Sequence, residues 1–105
     1  AGMNDLIRPA LYGAEHKIIP SNKKRVKSKK ILEFLGPICE STDKFSTIKK
    51  FQKITKNDLI VICDVGAYGT SLASNYNLRP KPIEIMVKGS KIKVIQKRQK
   101  LSELL

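Results

Sequence analysis

Tryptophan is absent, histidine occurs once, at His16, and there are only two cysteines, Cys39 and Cys63. With so few soft ligands, neither a C-x-x-C pair nor a Cys/His set of zinc spacing can be formed, and no metal site is expected. The six glycines never cluster, so there is no glycine-rich loop of the kind that cradles a phosphate. The longest unbroken apolar run, Leu59–Cys63, is five residues, against the roughly 20 that a membrane helix needs. No apolar segment follows a basic start, so no secretion signal is expected. Two lone thiols without such a signal suit a reducing cytoplasm, and a disulfide between them is not expected. Residue 1 is Ala and the first methionine is Met3, so the chain is expected to be a fragment, or a product that starts inside a larger gene.

Acidic residues are scarce. Nine Asp and Glu face 21 Lys and Arg, a formal charge of +12. Such a balance raises nucleic acid or an anionic surface as partners. The charge is mostly lysine, however, with arginine only at positions 8, 25, 79 and 98, and arginine is the better reader of phosphates and base edges. Seven cations fall in residues 17–30, five in 44–56 and five in 91–100, so the sequence reads as charge spread along the chain. No aromatic residue interleaves with Lys17–Lys30 to stack on bases. A solvated lysine-rich surface, with no specific nucleic-acid or membrane partner, is the favoured reading. The apolar fraction of 41% is ordinary, and residues 1–105 are expected to form one domain with a small core.

Residues 4–14 are expected to form a short helix. Asn4 would be its N-cap, Pro9 would bend it and Gly13 would end it. Leu6, Ile7, Ala10, Leu11 and Ala14 share one face, and Arg8 and Tyr12 the opposite one. The pattern then turns to short strands: His16–Ile19 stopped by Pro20, Ile31–Leu35 stopped by Gly36-Pro37, and Asp58–Asp64. The last is the most apolar and reads as a central strand buried on both faces. Ser71–Asn77 suits a short helix or an irregular loop. Pro82–Lys88 and Lys91–Lys97 form a hairpin through Gly89-Ser90, with glycine at the first central position, as a type II′ turn requires. Leu101–Leu105 suits a terminal helical turn. The fold class is mainly β, a small barrel or sandwich with a short N-terminal helix.

Three strings carry the reading further. Gly2-Met-Asn-Asp-Leu-Ile-Arg-Pro-Ala-Leu-Tyr-Gly13, Gly36-Pro-Ile-Cys-Glu-Ser-Thr-Asp43 and Gly66-Ala-Tyr-Gly-Thr-Ser-Leu-Ala-Ser-Asn-Tyr-Asn-Leu-Arg-Pro80 closely resemble the diaminopimelate decarboxylase family. They stand in the family's order and at compatible spacing. That family lies among the alanine-racemase-like pyridoxal-phosphate enzymes. The resemblance implies a (β/α)8 barrel followed by a β-domain, assembled as a head-to-tail homodimer. The barrel would hold the Schiff-base lysine and most cofactor contacts. This chain would be the β-domain alone, not expected to bind pyridoxal phosphate or to act by itself.

The same resemblance assigns roles. Arg8 and Tyr12 match positions that bind a substrate carboxylate, and an i, i+4 pair can converge on one anion. Cys39 and Glu40 match a dipeptide that reaches into the partner's active site, Cys39 near the reacting carbon and Glu40 on the distal ammonium. Tyr68 matches a tyrosine beside cofactor and substrate, flanked by Gly66 and Gly69. The implied reaction is decarboxylation of meso-diaminopimelate to L-lysine. Departures are local: Glu15 stands where the family usually has tyrosine, Gln99 where an acid is common, and Lys23–Lys30 is unusually charged. Two other readings stay open, a basic nucleic-acid-binding β-barrel of ribosomal type and a non-catalytic remnant.

Overall fold

Short elements and strong turn residues decide the architecture, which a computed structural model describes for residues 1–105. Helix α1 spans only Arg8–Tyr12, not residues 4–14. Pro9 lies in its first turn, where a missing N–H costs nothing, so it starts the helix and does not bend it. Asn4 is not the cap. Residues 2–6 form a separate tight turn in which the Gly2 carbonyl accepts the N–H groups of Asp5 and Leu6. Gly13 does end the helix, at φ 64°, its N–H returning to the carbonyl of Pro9.

Six strands follow: β1 (Ile18–Pro20), β2 (Leu32–Leu35), β3 (Lys44–Ile48), β4 (Ile60–Ile62), β5 (Glu84–Lys88) and β6 (Lys91–Gln96). They pair as three antiparallel ribbons, β1 with β4, β2 with β3 and β5 with β6. The fold is thus mainly β, with few helical residues, and its strands form no closed barrel. Strand β3 escapes a reading by alternation because its apolar residues, Phe45 and Ile48, do not alternate; it forms by pairing with β2, Leu32 opposite Ile48 and Phe34 opposite Ser46. The β5–β6 hairpin is as expected, with Lys88 opposite Lys91 and positive φ at Gly89 but not at Ser90. Ser71–Asn77 becomes the end of helix α2 (Gly69–Leu72) and the start of a second helical turn, Tyr76–Leu78. Leu101–Leu104 forms the terminal turn.

The core is small. Ile18, Phe34 and Phe51 are its buried centre, the two rings meeting edge to face at 5.0 Å, with Leu32, Phe45, Ile48, Ile54 and Ile62 packed around them. Strand β4 departs from expectation. It pairs on one side only, with β1, and Ile60 and Val61 are 36% and 44% exposed. A run of apolar β-branched residues suits a strand covered on both faces, but this chain supplies no second layer for it.

The exposed surface quantifies that shortfall. The chain exposes 8378 Å², whereas a monomer of its mass exposes about 5,900 Å². Its radius of gyration is 15.0 Å, against about 13 Å for a compact domain of this length. Large apolar residues contribute to it: Leu35, Leu59, Ile85, Val87, Ile92 and Ile95 are each about half exposed or more. Leu6 is buried, and most of the exposed apolar residues lie on or beside the strands. A groove of about 850 Å³ runs where the ribbons meet, lined among others by Leu6, Phe34, Leu35, Ile60, Ile62 and Ile83. No helix is long and apolar enough to cross a membrane. A surface of this kind self-associates in water, so sedimentation velocity over a concentration series is expected to show a coefficient that rises with protein concentration. A strictly monomeric species across the series would contradict this.

Candidate active-site residues

The N-terminal turn positions α1. Gly2 is buried, and a Cβ there would lie 3.0 Å from both the Asn4 Oδ1 and the Pro37 ring, so a larger residue would crowd both neighbours. The Asn4 carbonyl accepts the Ser74 N–H at 2.9 Å, which ties the turn to the segment after α2. These anchors set the first residue of α1, Arg8, beside the Gly66–Gly69 bend. The Arg8 guanidinium lies 5.1 Å from the centre of the Tyr68 ring and 5.7 Å from that of Tyr12. Both rings are more than half exposed. A cation held against aromatic faces keeps its fork directed by packing and retains N–H groups for an anion. Three of the residues named from sequence thus meet in one place.

Cys39 and Glu40 lie on the loop between β2 and β3, and Asp43 shapes that loop. The Asp43 side chain is 3% exposed. Its Oδ2 accepts the Ile38 N–H at 2.7 Å and its Oδ1 the Met3 N–H at 2.8 Å. Its backbone carbonyl accepts the Gly36 N–H at 2.9 Å, and its N–H donates to the Glu40 carbonyl at 3.1 Å. Gly36 is glycine for space and not for its dihedral angles: a Cβ would sit 2.2 Å from the carboxylate. With Ile38 turned inward and buried, Cys39 and Glu40 are left exposed at the tip, and both cysteines are free thiols. Asp43 closes the second string, yet sequence reasoning did not single it out. Its signal was an acid seven residues after a glycine at a strand end.

Tyr76 was also missed. Its hydroxyl donates to the Glu40 carboxylate. That hydrogen bond, reinforced by the negative charge of Glu40, holds the phenol above its ordinary value of 10.0. The chain beyond Tyr76 is strained, with Asn77 and Leu78 both left-handed at φ 58° and 57°, an unfavourable state for a branched side chain. The Asn75 amide holds this turn, donating to the Arg79 carbonyl at 2.9 Å and to Gln99 Oε1 at 2.6 Å. Gln99 Oε1 also accepts the Lys81 N–H at 3.0 Å. The Gln99 side-chain oxygen thus accepts from two donors at once, as a carboxylate oxygen could.

Two clusters result: Arg8, Tyr12 and Tyr68, and Cys39 and Glu40 with Tyr76. No hydrogen bond or ion pair joins one to the other; Asp43 links them indirectly, through the N-terminal turn and the loop. Residues 1–66 match the family described as pyridoxal-dependent decarboxylase, C-terminal sheet domain. The chain belongs to this family. It is 39% identical over its whole length to the diaminopimelate decarboxylase of Archaeoglobus fulgidus and 42% identical over 99% of its length to that of Helicobacter pylori. Among solved structures, it overlays the diaminopimelate decarboxylase of M. jannaschii with a TM-score of 0.91 at 38% identity, over 99% of this chain and 24% of that one. The Helicobacter pylori enzyme complexed with L-lysine gives 0.81 at 41% identity, over 99% of this chain and 25% of that one. The chain spans about a quarter of the length of these relatives. Pyridoxal phosphate, implied by the family, fits these residues along one side only: Tyr68 offers an exposed ring backed by a cation, but there is no glycine cluster to take the phosphate.

Two measurements probe this decarboxylase-family site. Asp43→Ala leaves the Ile38 N–H of the loop and the Met3 N–H of the N-terminal turn without their acceptor, so it is expected to lower unfolding free energy by about 2–5 kcal/mol, read from the urea midpoint; Gly36→Ala should also lose stability, through steric conflict. An unchanged midpoint in both would refute the role given to Asp43. Titrating the phenolate absorbance reports on Tyr76. Because its folded value is raised, its contribution to stability is complete below pH 10.0 and disappears as pH climbs through the raised value. Glu40→Gln is expected to bring the highest tyrosine midpoint back towards 10.0, whereas no movement would mean that the bond is absent in solution.

Proposed function

We propose that this chain is the substrate-recognising β-domain of a pyridoxal-phosphate-dependent diaminopimelate decarboxylase. The observation that carries the reading is the Arg8 guanidinium set between Tyr12 and Tyr68, with a second exposed charge of opposite sign, Glu40, on a loop anchored to the same N-terminal turn. Meso-diaminopimelate carries one ammonium and one carboxylate more than a simple amino acid at its far end. Arg8 would grip the distal carboxylate, with Tyr12 keeping the guanidinium in plane. Glu40, reaching across from the opposite subunit, would take the distal ammonium, its carboxylate steered by Tyr76. Holding both far-end charges leaves only the other α-carboxylate at the reacting position, so the correct bond breaks. Pyridoxal phosphate, when bound, supplies the sink for the electron pair left on the α-carbon. Cys39, beside Glu40, would stand at that carbon, and Tyr68 would cover one side of cofactor and substrate.

The exposed apolar surface fits the same proposal. The excess of about 2,500 Å² over a compact monomer is of the size that obligate interfaces bury. A barrel domain and a second subunit would cover it, completing the three ribbons as a closed sandwich or barrel and carrying Cys39 and Glu40 into the partner's site. Two free thiols suit such an assembly in a reducing cytoplasm. The test is reconstitution with a barrel domain and assay of lysine release. A charge-assisted bond to an ammonium is worth about 1.5–3 kcal/mol, so Glu40→Gln is expected to lower kcat/KM for diaminopimelate by roughly one to two orders of magnitude. A mixed dimer of one Glu40→Gln protomer and one protomer lacking the barrel's cofactor lysine should retain at most one intact site. If Glu40→Gln changes no reconstituted activity, Glu40 is a surface residue without this role.

A further inference from the structure

Residues 21–30 and 49–58 are far apart in sequence and side by side in the fold. Lys27 forms an antiparallel bridge with Gln52, the Ser28 N–H donates to the Phe51 carbonyl at 2.8 Å, and the Lys53 N–H donates to the Val26 carbonyl at 2.8 Å. The Gln52 side chain, 6% exposed, locks the two together: its Oε1 accepts the Lys24 N–H at 2.7 Å and its Nε2 donates to the Asn22 carbonyl at 2.6 Å. Two of the three basic clusters that looked dispersed are therefore one surface.

The first segment carries Lys23, Lys24, Arg25, Lys27, Lys29 and Lys30, all exposed. The second adds Lys49, Lys50, Lys53 and Lys56, exposed as well. Asp58 is the one acid among them, and it is engaged, accepting the Lys24 ammonium at 2.5 Å and the Thr55 N–H at 2.8 Å. Those bonds, Lys24 first, hold its carboxyl below the ordinary 3.8. Ten cations and one acid leave nine of the chain's twelve net positive charges on these two segments. Crowding like charges opposes folding, and here a buried amide and backbone bonds hold them together regardless. The surface is built, and it is not a frayed tail.

We infer that this patch binds the phosphate backbone of duplex nucleic acid without reading its sequence, an activity separate from amino-acid decarboxylation. A duplex presents one negative charge per roughly 1.7 Å of axis, a density that matches a dense lysine field. Lysine is a point charge that needs no fixed phosphate geometry. With Arg25 alone among the ten able to make bidentate base contacts, sequence discrimination is not built in. Phe51, the only aromatic residue in either segment, is buried in the core and cannot stack on unpaired bases. Neither segment is helical, so the amphipathic helix that enters a lipid headgroup layer is missing.

The experiment is fluorescence anisotropy of a mixed-sequence DNA duplex and a mixed-sequence RNA duplex with the 105-residue chain over a salt series. Binding is expected for both, with log Kd rising linearly in log salt at a slope of about 4–5, as four to six phosphate contacts give. The triple variant Lys27→Gln, Lys29→Gln, Lys53→Gln should weaken low-salt affinity by about tenfold or more and cut the slope by about 2–3. A control removing the same charge from the β5–β6 hairpin, Lys91→Gln, Lys93→Gln, Lys97→Gln, should change affinity by less than about threefold. Equal losses from the two triples would overturn the inference in favour of net charge alone. So would an absence of binding at low salt, or tighter binding to phosphatidylglycerol vesicles than to either duplex.

Discussion

The buried carboxylate of Asp43 is the interaction on which the arrangement of the site depends. Through Ile38 N–H it sets the loop that displays Cys39 and Glu40, and through Met3 N–H it fixes the turn from which α1 presents Arg8. One side chain therefore links two segments forty residues apart. Its burial raises the stakes. A buried acceptor with both oxygens occupied is stabilising, whereas the same N–H groups left without it each carry a desolvation cost. The close fit of Gly36 and Gly2 follows from that centre, because their missing Cβ atoms make room for the carboxylate and for the loop it closes.

Around this polar centre the apolar packing is thin. Five hydrophobic residues are buried in the whole chain, and the core cluster draws on the β1–β4 and β2–β3 ribbons but on no residue of β5–β6. Hydrophobic burial at roughly 25 cal/mol per Å² cannot accumulate where Ile85, Val87 and Ile92 face water. The architecture is thus a set of locally satisfied ribbons that expose a large apolar face. That agrees with a domain matching about a quarter of each relative, and it explains why β4, whose composition demands cover on two sides, finds it on one.

Charge is distributed by a different logic. Several of the nine acids are committed: Asp43 to backbone N–H groups, Asp58 to Lys24 and Thr55, Glu33 to Lys44, and Glu40 to Tyr76. Lysines greatly outnumber them, so most cations have no partner within the chain. Gln52 then decides where those cations stand, joining two segments that share a single ion pair, Lys24 with Asp58. The decarboxylase-family strings and the lysine-rich surface involve different residues, so either can change without disturbing the other.

Much of this was legible from residue order alone. Local signals determined the glycine stop of α1, the Gly89-Ser90 hairpin and the mainly β class, because each depends on the dihedral preferences of a few adjacent residues. The motif strings likewise pointed to Arg8, Tyr12, Cys39, Glu40 and Tyr68, of which Arg8, Tyr12 and Tyr68 lie together in the fold. Tertiary structure alone decided the rest. The extent of α1 was set by the 2–6 turn, which claims Asn4 for a bond to Ser74. The existence of β3 depended on its partner, and the exposure of β4 on a layer the chain does not supply. Asp43, Tyr76 and Gln52 act through contacts five to 40 residues away. No local pattern reveals them, because a buried polar group is defined by what surrounds it in space and not by its neighbours in sequence.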